Sequence, residues 1–176
     1  MTEHGLYRVM NLLGALICAA AMGFALYLQH VQGLEPCSMC VFQRVAMIAA
    51  GLFFLGGAVH GPRGWGRYIW TGGAALAALI GLGIAARHVW LQSLPADQVP
   101  ACGPALGYLM DVMPLWEVVQ SILRGDGNCA VIDWEFLGLS LPAWTGVGFF
   151  LLADWAVMAL MLPKLFARHL AASNPS

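Results

Sequence analysis

Four stretches of this 176-residue chain, 9–28, 41–59, 68–86 and 141–162, are each long and apolar enough to cross a lipid bilayer. A spanning helix needs about 20 predominantly apolar residues. In hydrocarbon every backbone N–H and C=O must find its partner inside the protein, which leaves helices as the economical solution for segments of this kind. The first three runs contain no acidic residue, and Arg44 is the one formal charge inside them. The expected fold is therefore an all-α membrane protein: a bundle of four transmembrane helices formed by residues 1–176 as one integral membrane domain. Two loops, 29–40 and 87–140, should lie on one side, with a tight turn on the other. Composition agrees. The chain is 60% hydrophobic and 10% charged, against about 45–50% and about 25% for soluble domains. That excludes an ordinary soluble enzyme and a disordered chain, and a net charge of -1 leaves no basic face for nucleic acid.

The few charges set the orientation. Arg8, Arg63, Arg67, Lys164 and Arg168 all fall on one side if the runs alternate. Glu35, Asp97, Asp111, Glu117, Asp126, Asp133 and Glu135 fall on the other, with Arg124. Positive residues in short loops mark the cytoplasmic side, so both termini are expected in the cytoplasm. The first run is too long for the apolar region of a cleaved signal peptide, and Ile17 before Cys18 does not suit a lipoprotein signal. Asp154, inside run four, is expected toward its cytoplasmic end, either facing water or neutral.

Of the five cysteines, Cys37, Cys40, Cys102 and Cys129 map to the outer side. Two in each outer loop suggest disulfides in an oxidising compartment, and four cysteines allow three pairings. Cys37-Ser38-Met39-Cys40 closes too small a ring to restrict the unfolded chain, so a mere staple is a poor reading of it. Pro36 suits a helix beginning there, and the free N–H groups of a helix start favour a thiolate. This points to thiol exchange. A four-cysteine zinc site needs two close-spaced pairs; Cys102 and Cys129 are far apart, so no metal site is expected. Cys18, within a span, is read as a small apolar side chain.

Arg44 follows Cys40 by four residues and shares its helix face, one turn deeper in the membrane. A cation there is costly; it either supports a thiolate or negative charge on an acceptor, or snorkels to the headgroups. His88 ends run three, level with the start of run two because the turn between those runs is short. His88, Arg44 and Cys40 can thus meet in one outer pocket, with His88 offering a hydrogen bond or proton; a histidine simply facing water is the competing reading. Electrons leaving these thiols need an acceptor. The chain carries no haem or dinucleotide motif, and a lipid-soluble quinone can reach such a pocket from the bilayer. In the long loop, 114–124 reads as a short amphipathic helix with Leu115, Val118, Val119, Ile122 and Leu123 on one stripe. It either lies on the membrane surface or packs on the ends of the spans.

Taken together, Gln29-His30-Val31, Pro36 to Cys40 with Gln43-Arg44, His88 with Leu91-Gln92, Cys102, and Cys129 with Asp133-Trp134-Glu135-Phe136-Leu137-Gly138-Leu139 resemble the DsbB family of bacterial disulfide bond formation proteins. The likeness covers nearly the whole chain; Cys18 is additional to it. It implies a multi-pass protein of the bacterial inner membrane that reoxidises a DsbA-like periplasmic thioredoxin-fold partner and passes the electrons to ubiquinone or menaquinone. Carried over by position, Cys102 and Cys129 form the disulfide that meets the partner. Cys37 and Cys40 form the pair at the quinone, which Cys40, Arg44 and His88 would bind. Two alternatives stay open beside it. A reductase of the vitamin K epoxide type would place its CxxC at the last helix, where run four has no cysteine. A membrane scaffold with two stapling disulfides would bind no quinone.

Overall fold

The computed structural model describes residues 2–95, 97–104 and 106–173. Four long helices carry the expected runs: α1 (Glu3–His30), α2 (Ser38–His60), α3 (Gly66–Gln92) and α7 (Leu141–Ser173), the last spanning as Leu141–Ala167. Between α3 and α7 lie α4 (Leu106–Val112), α5 (Leu115–Arg124), α6 (Gly127–Ala130) and a hairpin of β1 (Glu135–Phe136) and β2 (Leu139–Ser140). The chain is a four-helix membrane protein.

Local chemistry sets the helix ends. Thr2 caps α1 by accepting from the Gly5 N–H at 3.2 Å. Gly61 ends α2 in the left-handed region at φ 50°, a conformation that suits glycine, and Pro62 follows. α3 packs along α2 on one side and α7 on the other, and α1 closes the ring against α2 and α7. Small residues make the close approaches, as helix association in lipid requires. A methyl at Gly81 would sit 2.4 Å from the Phe149 ring, and Gly51 lies against Cys18. Cys18 is buried in the core with Phe54 and Phe149, as a small apolar residue should be. At the end that carries both termini, Tyr7 Oη shares a 3.0 Å hydrogen bond with Thr71, and Arg67 pairs with Glu3.

One feature differs from expectation, a second decides between two expected alternatives, and a third was not foreseen. Asp154 stands ten residues from both Trp144 and Lys164, about 15 Å of helix rise from each. It is therefore at mid-span, and it points outward among the exposed Phe150, Leu151 and Val157 rather than toward water at one end. The cause is that α7 continues well past the apolar run. Second, α5 uses only part of its stripe for packing. Val118 and Ile122 are buried against Met39, Leu91 and Leu109, whereas Leu115 and Trp116 are exposed. Arg87 ties this helix to α3, donating to the carbonyls of Leu123 at 3.3 Å and Arg124 at 3.1 Å. Third, the segment before α7 is a hairpin, pairing Glu135 with Ser140 and Phe136 with Leu139. Leu137 and Gly138 turn it with φ of 52° and 77°, the two positive angles of a tight hairpin turn.

Candidate thiol exchange site

Cys37 is the N-cap of α2; its sulfur accepts from the Cys40 N–H at 3.4 Å and lies 3.1 Å from the Cys40 sulfur. The CxxC thus sits in the first turn of a spanning helix, both sulfurs half-buried. Cys129 comes to this turn from the long loop. Asp126 caps the short α6 by accepting from the Cys129 N–H at 3.2 Å, and its other oxygen accepts from the Ser38 hydroxyl at 3.4 Å. Ser38 Oγ is in turn 3.7 Å from the Cys129 sulfur. Cys129 is fully buried, and the Cys37 sulfur beside it, together with that burial, pushes its thiol far up from the ordinary range.

Cys102 is exposed on a strand of loop that runs alongside α6. The Gly127 N–H donates to the Ala101 carbonyl at 3.2 Å. A Cβ at Gly127 would stand 2.8 Å from the Pro100 carbonyl oxygen and 3.0 Å from the Cys102 sulfur. Only glycine allows this approach, which brings Cys102 beside the α6 turn that carries Cys129.

His88, on the last turns of α3, is 2% exposed. Its Nε2 donates to the Cys129 carbonyl at 3.0 Å and lies 3.7 Å from the Cys37 sulfur. Its Nδ1 takes the Gln43 amide at 3.3 Å. A His88 ring nitrogen and the sulfurs of Cys37 and Cys129 all lie within 4.8 Å of one another. The histidine therefore sits inside the sulfur cluster rather than facing water.

Below the CxxC an apolar cavity of about 440 Å³ opens between α1, α2 and α7. Ala21, Phe24 and Leu28 form one wall, and Leu141 and Trp144 another; Cys37, Cys40, Gln43, Arg44, His88 and Gln92 are among its polar groups, with Glu35, Asn128, Asp133 and Thr145 also on its lining. Arg44 is half-buried, and its guanidinium donates to the Gln29 side-chain oxygen and to the Ala25 carbonyl at 3.3 Å rather than to a sulfur. That holds a positive charge at the cavity wall one turn beneath Cys40. The hairpin closes the cavity's rim through the Trp144 Nε1 bond to the Phe136 carbonyl at 3.0 Å and the edge contact of Trp134 on Phe24.

The structure thus brings Cys37, Cys40 and Cys129 together with His88, places Cys102 at the surface next to them, and sets Arg44 on the adjoining cavity. Gln29, Ser38, Gln43 and Asp126 are partners that the sequence reading left unassigned. Gln43 carried a usable signal, since a polar side chain within an apolar run is rarely idle. Ser38 and Asp126 carried none, because their apposition depends on how the long loop folds back.

A four-span membrane protein that gathers cysteines of two loops at one helix start belongs to the membrane thiol–disulfide proteins. Comparison with known proteins makes this specific. The family model of the disulfide bond formation protein DsbB matches residues 7–159. A disulfide bond formation protein B of Chromohalobacter salexigens is 54% identical over 139 residues, covering 78% of this chain and 81% of that protein. Those of Nitrosococcus oceani and Xanthomonas euvesicatoria pv. vesicatoria are each 49% identical, covering 80% and 87% of this chain and 83% and 90% of theirs. The chain belongs to the DsbB family, with the disulfide-forming oxidoreductase role that the family carries.

Proposed function

We propose that this protein is a bacterial inner-membrane enzyme that reoxidises a DsbA-like periplasmic dithiol protein and delivers the electrons to a quinone, ubiquinone or menaquinone. Both termini would face the cytoplasm and the cysteine loops the periplasm. The observation that carries this reading is the graded placement of the sulfurs: Cys102 exposed, Cys129 buried beside Cys37, and Cys40 on an apolar cavity that also holds Arg44.

Thiol exchange proceeds by attack of a thiolate on a disulfide sulfur. With Cys102 paired to Cys129, the partner's thiolate can reach only the exposed Cys102. The mixed disulfide forms there and Cys129 leaves as the thiolate. Cys129 then attacks Cys37, its near neighbour, and Cys40 leaves in turn. The partner's second thiol displaces Cys102, which releases the partner oxidised. Cys102 retakes Cys129 and frees Cys37. In balance, one dithiol becomes a disulfide, and two electrons and two protons arrive at Cys37 and Cys40.

The cavity fits a quinone ring in kind. Small-molecule sites are usually apolar and of about 300–1,000 Å³, with a few placed polar groups. A bound quinone supplies the two-electron acceptor that restores the Cys37–Cys40 disulfide. Arg44 stabilises the Cys40 thiolate and any negative charge that grows on the acceptor. Gln43 fixes the His88 ring, whose Nε2–H faces Cys37 and holds the Cys129 carbonyl.

The test is quinone reduction by the purified protein in detergent, with a reduced DsbA-type protein as donor. Turnover should vanish in Cys102→Ser and in Cys40→Ser, while Cys40→Ser still traps the partner through Cys102. Turnover that persists in Cys40→Ser overturns the assignment of the quinone end. No turnover with either quinone, in protein whose outer cysteines are paired, favours a stapled scaffold.

A further inference from the structure

We propose that the reduced cysteine cluster is a binding site for a thiophilic divalent cation, Zn²⁺ or Cd²⁺, held by Cys37, His88 and Cys129. The spacing of the cysteines alone argued against zinc, because four cysteines at these intervals do not make two close pairs. The fold replaces the missing pair by bringing a histidine from α3 between a helix start and the long loop.

Tetrahedral zinc with sulfur at about 2.3 Å and nitrogen at about 2.0–2.1 Å separates its ligand atoms by roughly 3.5–3.8 Å. Cys37 Sγ and His88 Nε2 are already 3.7 Å apart, and all three ligand atoms fall within 4.8 Å. Contraction by about an ångström, within reach of side-chain torsions, completes the triad. Cys40 Sγ lies 3.1 Å from Cys37 Sγ, and C-x-x-C is a common zinc-ligand spacing.

The groups around the ligands suit the ion. A metal-bound histidine uses one ring nitrogen and donates its other N–H to a fixed acceptor. Gln43, 4% exposed, sits at His88 Nδ1. Turning its carboxamide by half a revolution presents the oxygen to an Nδ1–H and frees Nε2 for the ion. The sulfurs of Cys37 and Cys129 are crowded together in a largely buried place, and among the described residues Arg44 bonds elsewhere. A divalent cation removes the repulsion that two thiolates would feel there. Binding moves no electrons: the bound thiols release their protons to solvent and two metal–sulfur bonds form.

The site exists only while Cys37 and Cys129 are both thiols, since either disulfide takes up a ligand sulfur. The cation would therefore capture the fully reduced protein and hold it out of the exchange sequence. Binding depends on the thiols alone and not on the quinone step, so its failure would leave the proposed reaction untouched.

The experiment is Co²⁺ titration of the full-length protein in detergent, reduced and freed of reductant, followed by Zn²⁺ competition. One equivalent should give the intense visible bands and sulfur charge-transfer absorption of tetrahedral cobalt, which zinc then erases. Protein with oxidised cysteines should give none. Cys129→Ser and His88→Ala should each weaken binding by about tenfold or more, and Cys18→Ala should not. Because a variant can fail for want of folding, protection is read in the unaltered protein as well: zinc should slow alkylation of Cys37 and Cys129 and leave Cys102 reactive. Octahedral cobalt spectra, a signal that survives both substitutions, or no protection of Cys37 and Cys129 would overturn the proposal.

Discussion

Gly127→Ala tests the apposition on which the proposed partner oxidation rests. The added methyl would meet the Pro100 carbonyl oxygen at 2.8 Å, the Cys102 sulfur at 3.0 Å and the Cys102 nitrogen at 3.2 Å. Two of these are backbone atoms, so the loop must move by several tenths of an ångström, and the 3.2 Å bond from Gly127 to Ala101 goes with it. Overpacking of this kind costs about 1–3 kcal/mol, and a lost hydrogen bond about 1 kcal/mol. Alanine returns at most about 1 kcal/mol in helix propensity, so the net strain is about 1–3 kcal/mol. Closing a Cys102–Cys129 disulfide would fix the two segments in this approach, whereas free thiols leave the loop able to move apart, so the strain falls on the oxidised pair. For a two-electron couple about 1.4 kcal/mol corresponds to 30 mV, so the Cys102–Cys129 disulfide should become easier to reduce by about 20–65 mV. The assay is equilibration of the purified protein in graded thiol–disulfide buffers, with the reduced fraction read by alkylation and gel shift. The Cys37–Cys40 potential and the thermal stability of the helix bundle serve as controls. A Cys102–Cys129 potential that stays within about 10 mV of the parent would refute the reasoning, because the close passage would then contribute nothing to that pair.

Arg44→Ala should raise the KM for quinone by tenfold or more and lower kcat less, because the charge lies on the cavity wall and contacts no sulfur; unchanged quinone kinetics would leave Arg44 a bundle residue that merely ties α2 to α1. The raised Cys129 thiol stabilises the reduced protein at pH values below the ordinary thiol range of about 8.5, and that contribution is lost as pH rises toward the higher folded value. Thermal melts of reduced protein between pH 7 and 10 should fall with pH, and Cys129→Ala should flatten the slope; a slope unchanged by the substitution would sink the idea. Asp154→Leu should favour membrane insertion of α7 by about 3 kcal/mol, from the difference between aspartate and leucine at a helix centre. Glycosylation-tagged insertion of α7 measures this, and equal insertion of the two forms would show that Asp154 is not at mid-span.

Much of this architecture was open to reading in the chain because apolar runs of bilayer length admit few structures. Runs 9–28, 41–59, 68–86 and 141–162 became α1, α2, α3 and α7, with their ends displaced outward where polar residues extend a helix past the apolar stretch. The first turn of α2 was equally legible, since Pro36 and the CxxC announce a helix start that capping geometry then completes. The long loop resisted. Its packing depends on a few buried contacts, Val118, Ile122 and Leu109 against Met39 and Leu91, and no periodicity specifies which of two apolar half-stripes is used. The hairpin was hidden for a related reason: two-residue strands have no alternation to read, and its turn sets a leucine, not a glycine or asparagine, at positive φ. His88 was found by level and not by role. The shortness of the α2–α3 turn placed it near the CxxC, but that the ring would stand between Cys37 and Cys129 depended on α6 folding back over α3.

Burial supplies the remaining step, because it makes the proposed exchange directional. Were Cys129 as exposed as Cys102, the partner could attack either sulfur, and half of the mixed disulfides would release Cys102 into solvent, away from α2. Cys129 is fully buried, so attack is confined to Cys102. The thiolate then released lies with Cys37 inside the 4.8 Å cluster, and Asp126 and Ser38 hold it there through bonds of 3.2 and 3.4 Å. The exposed member of the pair selects the partner, and the buried member, released beside Cys37, commits the electrons toward the membrane.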